Sequence, residues 1–157
     1  MIRNAVKHGT VTMTALYGTD LAAWAREQAD LARRGSLDRL DVANIAEELE
    51  SIARAERRDL AAQICRLSVY LLKWCYRPDR RRRSDRRGIL RCRMRIERLL
   101  EDSPSLAGDW DEIMATEWPR AVRWTSDETR IARRALPADC PWTRPELLDA
   151  DFLPDED

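Results

Sequence analysis

The sequence holds a single histidine, His8, which lies in a polar N-terminal stretch. Di-iron sites on helical bundles use paired Glu-x-x-His motifs, and many catalytic relays join a serine or cysteine to a histidine. Each scheme would need more histidines or would have to recruit His8. The cysteines form no Cys-x-x-Cys motif, so a zinc site would lack ligands at a recognised spacing. We expect no catalytic residue, no metal and no cofactor, and four reduced structural thiols, at Cys65, Cys75, Cys92 and Cys140.

Long apolar runs are also missing. The best one, from Leu67 to Tyr76, is interrupted by Ser68 and Lys73 and falls short of the roughly 18 apolar residues that a membrane span requires. The first ten residues do not have the pattern of a secretory signal, which has an apolar core followed by small residues. We therefore expect a cytoplasmic protein without a membrane partner.

Aromatic and β-branched residues are scarce. Ten aromatic residues and twelve glycines and prolines accompany abundant alanine, leucine, arginine and glutamate, which is the composition of packed helices. With 157 residues, 44% of them apolar, the chain can bury one core. We predict an all-α, single-domain bundle of four main helices plus short C-terminal helical segments. The predicted helical domain covers residues 17–154, after a disordered lead over 1–16 and before an acidic tail end at 155–157.

Caps and apolar spacing place the first two main helices. Thr19 is the expected N-cap of the first helix, and Gly35 is expected to end it. Asp41 is the expected cap of a long second helix, which ends just before Pro78. A helix of this length could span the whole domain, so a kink or break within 51–59 is an alternative. The apolar line of the second helix is expected to contain Ile45, Leu49, Ile52, Leu60, Leu67, Leu71 and Trp74.

The remaining two main helices follow from the same signals. Apolar residues at helical spacing predict a third helix over residues 84–100. A Ser-Pro pair opens a fourth helix, which Pro119 should bend or end. Beyond it we predict a short helical segment over residues 127–136 and a capping box formed by Thr143 and Glu146.

Arginine is concentrated in the middle of the chain. Residues 77–98 hold eleven basic and three acidic side chains, and every basic one is an arginine. Their net charge of +8 is almost cancelled by the net charge of −9 on residues 101–157. Guanidinium groups make forked contacts with phosphates and carboxylates, so the cluster is a candidate nucleic-acid site. The residues expected to bind there are Arg80, Arg81, Arg82, Arg83, Arg86 and Arg87.

The alternative is that the arginine cluster has no nucleic-acid partner. The acidic C-terminal part could neutralise it as an internal charge latch, or the arginines could form a solvated face. No aromatic residue lies between Arg77 and Arg98 to stack on bases. Only two lysines accompany 26 arginines, a bias that arginine-rich codon usage would produce. A latch or a solvated face is therefore favoured over nucleic-acid binding.

A carboxylate stands in the predicted apolar line of the second helix. Glu56 falls between Ile52 and Leu60, and Gln63 lies two turns further on. A buried carboxylate needs a partner, so Glu56 could be an acid in a small pocket with a shifted pKa. We favour an arginine partner or a local break that exposes Glu56 to water. The tryptophans of the predicted helices are expected in the core rather than as ligand platforms, namely Trp24, Trp74, Trp110 and Trp124.

Five short motifs follow one another along the chain. They are YGTDLAAW at 17–24, LDVANIAEELES at 40–51, LKWCYRP at 72–78, DSPSL at 102–106, and CPW at 140–142 with DFLP at 151–154. In this order they resemble the bacterial family known as domain of unknown function twenty-nine, over about residues 16–154. The resemblance implies an α-helical fold and no activity that can be carried over. It directs attention to Asp20, Trp24, Asn44, Glu47, Glu48, Lys73 and Trp74.

Three functions are compatible with these observations. The leading hypothesis is a non-catalytic helical module that binds a protein partner, or a second copy of itself, through a charged face. This hypothesis rests on the segregated charge and on the lack of an assembled catalytic group. The alternative is a nucleic-acid-associated protein that uses the arginine cluster at 77–98. A weaker alternative is an enzyme built on Glu48 or Glu56 together with an arginine.

Overall fold

The computed structural model describes residues 13–154, and the regular structure within this range is entirely helical. The α-helices are α1 (Met13–Thr19), α2 (Leu21–Arg33), α3 (Val42–Tyr76), α4 (Arg83–Asp102), α5 (Trp110–Thr129) and α6 (Arg144–Leu148). Short 3-10 helices occupy Leu37–Arg39, Pro78–Arg80, Pro104–Asp109 and Arg133–Ala135. The predicted all-α bundle with four main helices, α2 to α5, is confirmed. None of the helices within 13–154 has both the length and the hydropathy needed to cross a membrane.

The start of the chain differs in part from the predicted lead. Residues 13–16, which were expected to be disordered, belong to α1, while residues 1–12, including His8, lie outside the described residues. The N-cap of α2 is Asp20, whose Oδ1 accepts a hydrogen bond from the backbone N–H of Ala23 at 2.9 Å. Thr19 is the last residue of α1, and its hydroxyl donates to the carbonyl of Leu16 instead. The predicted cap is therefore displaced by one residue.

The remaining boundary signals of the first two main helices have the expected effects. Gly35 follows α2 with a φ of 72°, a left-handed conformation that glycine adopts without steric cost. The Asp41 carboxylate accepts from the backbone N–H of Asn44 at the start of α3. The helix ends at Tyr76, two residues before Pro78. It runs without interruption through 51–59, so the alternative of a break there is wrong.

The chain divides into two compact units, and the boundary falls inside α3. Unit 1 extends to Ile52, with 13–52 described, and unit 2 begins at Ala53, with 53–154 described. The sequence predicted one domain over 17–154, and those limits stay a prediction. The predicted apolar line of α3 is wrong near this boundary, because Leu49 and Ile52 are 62% and 59% exposed. No residue of α3 from position 42 to 59 is buried.

Unit 2 contains the core that the periodicity predicted. A first cluster joins α3 and α4 with residues of the α5 and α6 regions, and a second lies between α3 and α5. Gly88 on α4 permits this packing, because a Cβ atom there would lie 2.5 Å from Cζ of Tyr70. The buried centre of the first cluster consists of Leu60, Ile64, Leu67, Leu71, Ile89, Cys92, Ile96, Leu99, Leu106, Trp110, Ile113 and Leu147.

Helix α5 departs from several sequence expectations. The Ser-Pro pair opens the 3-10 helix Pro104–Asp109, and α5 begins only at Trp110. The helix continues past Pro119. This proline has no N–H to donate to the carbonyl of Ala115, but both residues lie on the exposed face of the helix. Trp124 is 45% exposed rather than part of the core. Of the predicted helical segment 127–136, residues 127–129 belong to α5 and Arg133–Ala135 form a 3-10 helix. Arg130, which follows α5, lies in the left-handed region at a φ of 66°. The predicted capping box at the start of α6 is present.

Candidate functional site

A polar cluster joins α2 to the start of α3 in unit 1. The backbone N–H of Asp41 donates to Oε1 of Gln28 at 2.9 Å, and Nδ2 of Asn44 donates to Oδ2 of Asp41 at 2.7 Å. Nε1 of Trp24 donates to the same carboxylate oxygen at 3.4 Å. Hydrogen bonds from Asn44 first, and then from Trp24, lower the pKa of Asp41 against the effect of burial. The cluster therefore fixes the connection between the two helices.

A second contact supports the same part of unit 1. The hydroxyl of Tyr17 donates to Oε1 of Glu48 at 2.7 Å, and this bond raises the pKa of Tyr17. The Tyr17 ring meets Trp24 edge-on with centroids 4.9 Å apart. With the cap made by Asp20, four family-motif residues thus have a structural role in unit 1. Glu47 lies on the exposed side of α3.

An apolar groove lies between α2 and α3 in unit 1. It has a volume of about 330 Å³. Gln28 lines it and is only 5% exposed, yet its Nε2 has no hydrogen-bond partner among the described residues. Buried amide groups normally have a hydrogen-bond partner, so the Nε2 donor of Gln28 lacks a partner that its burial would lead us to expect. The groove is lined by Trp24, Ala25, Gln28, Ala29, Ala32, Leu40, Ile45, Glu48 and Leu49.

In unit 2 the arginine cluster is not neutralised by the described acidic residues of the C-terminal part. Within the described range, the only ion pair that joins 77–98 to 101–154 is the exposed Arg98–Asp102 contact of 3.7 Å inside α4. Arg95 pairs with Asp59 of α3, and this bond lowers the pKa of the carboxyl. No ion pair with a described residue is found for Arg82, Arg83, Arg86, Arg87 or Arg91.

The C-terminal segment is held instead through backbone carbonyls. Arg93 of α4 is 4% exposed. Its Nε donates to the carbonyl of Leu147 and its Nη2 to the carbonyl of Phe152, both at 2.8 Å. Its Nη1 donates to the carbonyl of Ala150 at 3.4 Å. This arginine is structural, and its place between Ile89 at i−4 and Ile96 at i+3 was the signal that set it apart from its exposed neighbours.

A pocket of about 210 Å³ lies where α3 ends, next to the C-terminal end of α5. The pocket brings Lys73 and Trp74 together with three of the six arginines expected to bind, namely Arg80, Arg81 and Arg82. Arg83, Arg86 and Arg87 lie outside it and form a separate arginine face with Leu90 on α4. The pocket is lined by Lys73, Trp74, Arg77, Arg80, Arg81, Arg82, Asp85, Glu128 and Thr129.

The carboxylate that the sequence placed in the core line is not the buried one. Glu56 is half-buried, and Gln63 donates to Asp59 at 3.2 Å. The buried carboxylate is Glu117 on α5, at 7% exposure, which accepts from Nη1 of Arg120 at 2.7 Å. In the sequence, the apolar residues Ile113 and Ala121, at i−4 and i+4, were the signal that Glu117 would be buried.

Three thiols of unit 2, those of Cys65, Cys92 and Cys140, are poor nucleophiles. Burial, followed by the neighbouring Glu117, raises the pKa of Cys65 to about 11, and burial also raises the pKa values of Cys92 and Cys140. These thiols therefore stay protonated at neutral pH. Within the described part of the chain, no group of three or more histidine, cysteine or acidic side chains is arranged to hold a metal ion.

Comparison with known proteins gives one finding. A family model described as Domain of unknown function DUF29 matches residues 16–153. A comparison with curated proteins finds no match, and neither does a comparison with solved structures. The matched range covers nearly the whole sequence, so the chain belongs to the DUF29 family, whose function is unknown.

Proposed function

We propose that this protein is a non-catalytic interaction module whose unit 1 groove binds an amphipathic, basic helix of a partner protein. The distribution of exposed apolar side chains carries this proposal. Seven large apolar residues are exposed within the described range, and five of them lie in unit 1, the smaller unit. Leu49 among them lines the groove, whose lining is mostly apolar, and contiguous exposed apolar surface marks interaction sites. The five residues are Leu21, Leu37, Val42, Leu49 and Ile52.

The shape of the groove favours a helix as its occupant. Ala25, Ala29 and Ala32 follow one another at intervals of four and three residues along α2, so small side chains form a line along the α2 side of the groove. A helix can lie close to such a face and place its apolar residues at i, i+3, i+4 and i+7 against it. The unpartnered Nε2 of Gln28 offers a hydrogen bond to the occupant.

The charge of unit 1 favours a basic partner. Residues 13–52 hold eight acidic and four basic side chains, a net charge of −4, and Glu48 lines the groove itself. Complementary charge increases association rates and selects partners. The basic helix of this chain, α4, already buries its apolar face in the core of unit 2. A second copy therefore does not offer α4 as the occupant, which favours a helix from another protein.

A peptide titration tests this proposal. The probe is a synthetic helical peptide with leucines at i, i+3, i+4 and i+7 and lysines elsewhere, and its control carries glutamates in place of the lysines. We expect the basic peptide to bind with a dissociation constant below about 100 μM at low ionic strength. Ala32→Arg, which fills and charges the groove, should weaken binding at least about tenfold. Ala46→Arg adds the same charge on an exposed position of α3 outside the groove and should weaken binding by less than about threefold.

Three outcomes would contradict the groove as a partner site. They are no binding of the basic peptide, equal losses in the two variants, and binding of the acidic peptide with similar affinity. A dimer in sedimentation experiments that Ala32→Arg dissociates would assign the groove to a second copy instead. Circular dichroism must show unchanged helix content in both variants.

A second candidate function uses the arginine face of α4. Arg83, Arg86 and Arg87 are exposed and lack ion pairs with described residues, which supports nucleic-acid binding through phosphate contacts. Binding of a duplex or single-stranded oligonucleotide should then weaken steeply with salt, and the double variant Arg86→Glu and Arg87→Glu should abolish it. A flat salt dependence, or no binding at low salt, would remove this candidate.

A further inference from the structure

The pocket at the end of α3 combines a surplus of positive charge with a limited size. Five basic and two acidic side chains line it, a net charge of +3. Its volume of about 210 Å³ is below the roughly 300–1,000 Å³ of pockets that enclose a whole drug-sized ligand. The pocket therefore suits the charged end group of a ligand rather than a complete one.

Two guanidinium groups in this pocket are held in place by backbone carbonyls, and of the two only Arg77 also contacts a described carboxylate. Arg81 donates from Nε to the carbonyl of Trp74 at 2.8 Å, and its guanidinium stacks over the Trp74 ring at 5.1 Å from the centroid. Arg77 donates from Nη1 to the carbonyl of Thr129 at 3.0 Å and from Nε to the exposed carboxylate of Asp79 at 3.4 Å. A carbonyl fixes a guanidinium but contributes no negative charge. Both Nη groups of Arg81 and Nη2 of Arg77 keep donors for a ligand.

The acidic side chains of the pocket already have partners. Glu128 accepts from Nζ of Lys73 at 2.9 Å and from Nε1 of Trp124 at 2.7 Å, and the bond from Lys73 lowers its pKa. Asp85 accepts from the backbone N–H of Arg82 at the start of α4, at 3.0 Å. These bonds restrain both carboxylates and leave Arg81 without a carboxylate partner among the described residues.

We propose that this pocket is a binding site for the phosphoryl end of a small phosphorylated molecule, with Arg77 and Arg81 as its principal ligands. A phosphoryl group has three acceptor oxygens and more than one negative charge at neutral pH, which matches paired guanidinium donors. The fixed positions of both arginines lower the entropic cost of binding. The arginine face formed by Arg83, Arg86 and Arg87 has residues of one helix only and no comparable support.

Calorimetric titration with inorganic pyrophosphate and with inorganic phosphate tests this site on the full chain. We expect both to bind at low ionic strength, pyrophosphate more tightly, with the Nε–H signals of Arg77 and Arg81 shifted in NMR spectra. Arg81→Gln should weaken pyrophosphate binding at least about tenfold. Arg87→Gln removes the same charge from the same basic segment and should weaken binding by less than about threefold.

The control variant separates a built site from general electrostatic attraction. Equal losses in Arg81→Gln and Arg87→Gln would overturn the proposal, as would no pyrophosphate binding to the unmodified protein. Binding of oligonucleotides only, dependent on Arg87 as much as on Arg81, would assign the surface to nucleic acid and also overturn it. Unchanged circular dichroism in both variants shows that any loss belongs to the site. The outcome does not depend on the groove of unit 1.

Discussion

Replacement of Arg93 by methionine tests how α4 holds the C-terminal segment. Methionine keeps an unbranched, flexible chain in the core but has no hydrogen-bond donor. The change removes the bonds to the carbonyls of Leu147, Ala150 and Phe152. Arg91→Met is the matched control, because Arg91 lies on the same helix, is exposed and has no ion pair with a described residue.

The magnitude follows from the geometry of the three bonds. Each of the two 2.8 Å bonds comes from a charged donor and contributes about 1.5–3 kcal/mol. The 3.4 Å bond adds little. The guanidinium is costly to bury, and burial lowers the pKa of Arg93, so its removal offsets part of the loss. We expect Arg93→Met to lower the free energy of unfolding by about 3 kcal/mol, which corresponds to a fall in Tm of roughly 6–12 °C.

Thermal unfolding and hydrogen exchange measure this effect together. In Arg93→Met, amides of residues 144–154 should exchange faster than in the unmodified protein, because the segment opens more readily. Arg91→Met should change the free energy of unfolding by less than about 0.5 kcal/mol. Equal Tm values for the two variants, with unchanged exchange at 144–154, would refute the account of Arg93.

The remaining predictions concern one close contact and one ion pair. Gly88→Ala should lower the free energy of unfolding by about 1–3 kcal/mol in urea denaturation, because the new Cβ would collide with the Tyr70 ring. The control Gly18→Ala has open space around it and should not lower the free energy of unfolding. Equal effects of the two variants would contradict this reasoning. Arg95→Met should be destabilising well above pH 3.8, the ordinary pKa of an aspartate, and less so as the pH falls below it, because Asp59 has a lowered pKa in the folded protein. A difference in unfolding free energy that stays constant from pH 7 to pH 3 would refute that coupling.

Local signals along the sequence predicted most of the helix boundaries. The Asp41 cap, Gly35, Pro78 and the capping box at Thr143 each act on their own backbone neighbours, so their effects depend little on the rest of the fold. The one-residue error at Asp20 has the same origin. Thr19 and Asp20 are both good caps, and only the hydrogen bond of Thr19 back into α1 decides between them.

Properties that depend on packing could not be read from periodicity. Leu49 and Ile52 fit the apolar line of α3 as well as Leu60 does, but only Leu60 of the three is buried in a core cluster. Likewise, the sequence drew attention to Glu56 and not to Glu117, although both lie at core spacing, because burial depends on which helices pack against them. The sequence also did not predict the pocket, because backbone carbonyls hold its two main arginines in place. Arg77 is held by the carbonyl of Thr129, later in the chain, and Arg81 by that of Trp74, earlier in it.

The most direct test of the interaction-module proposal is an NMR titration of the full chain with the basic helical peptide. We expect shifts at the backbone amides of Ala25, Ala29 and Ala32, together with a shift of the Gln28 side-chain amide as its free donor finds a partner. Saturation should occur at one peptide per chain. Unchanged signals at these four residues, with shifts only at exposed carboxylates elsewhere, would contradict the proposal that the groove of unit 1 binds a partner helix.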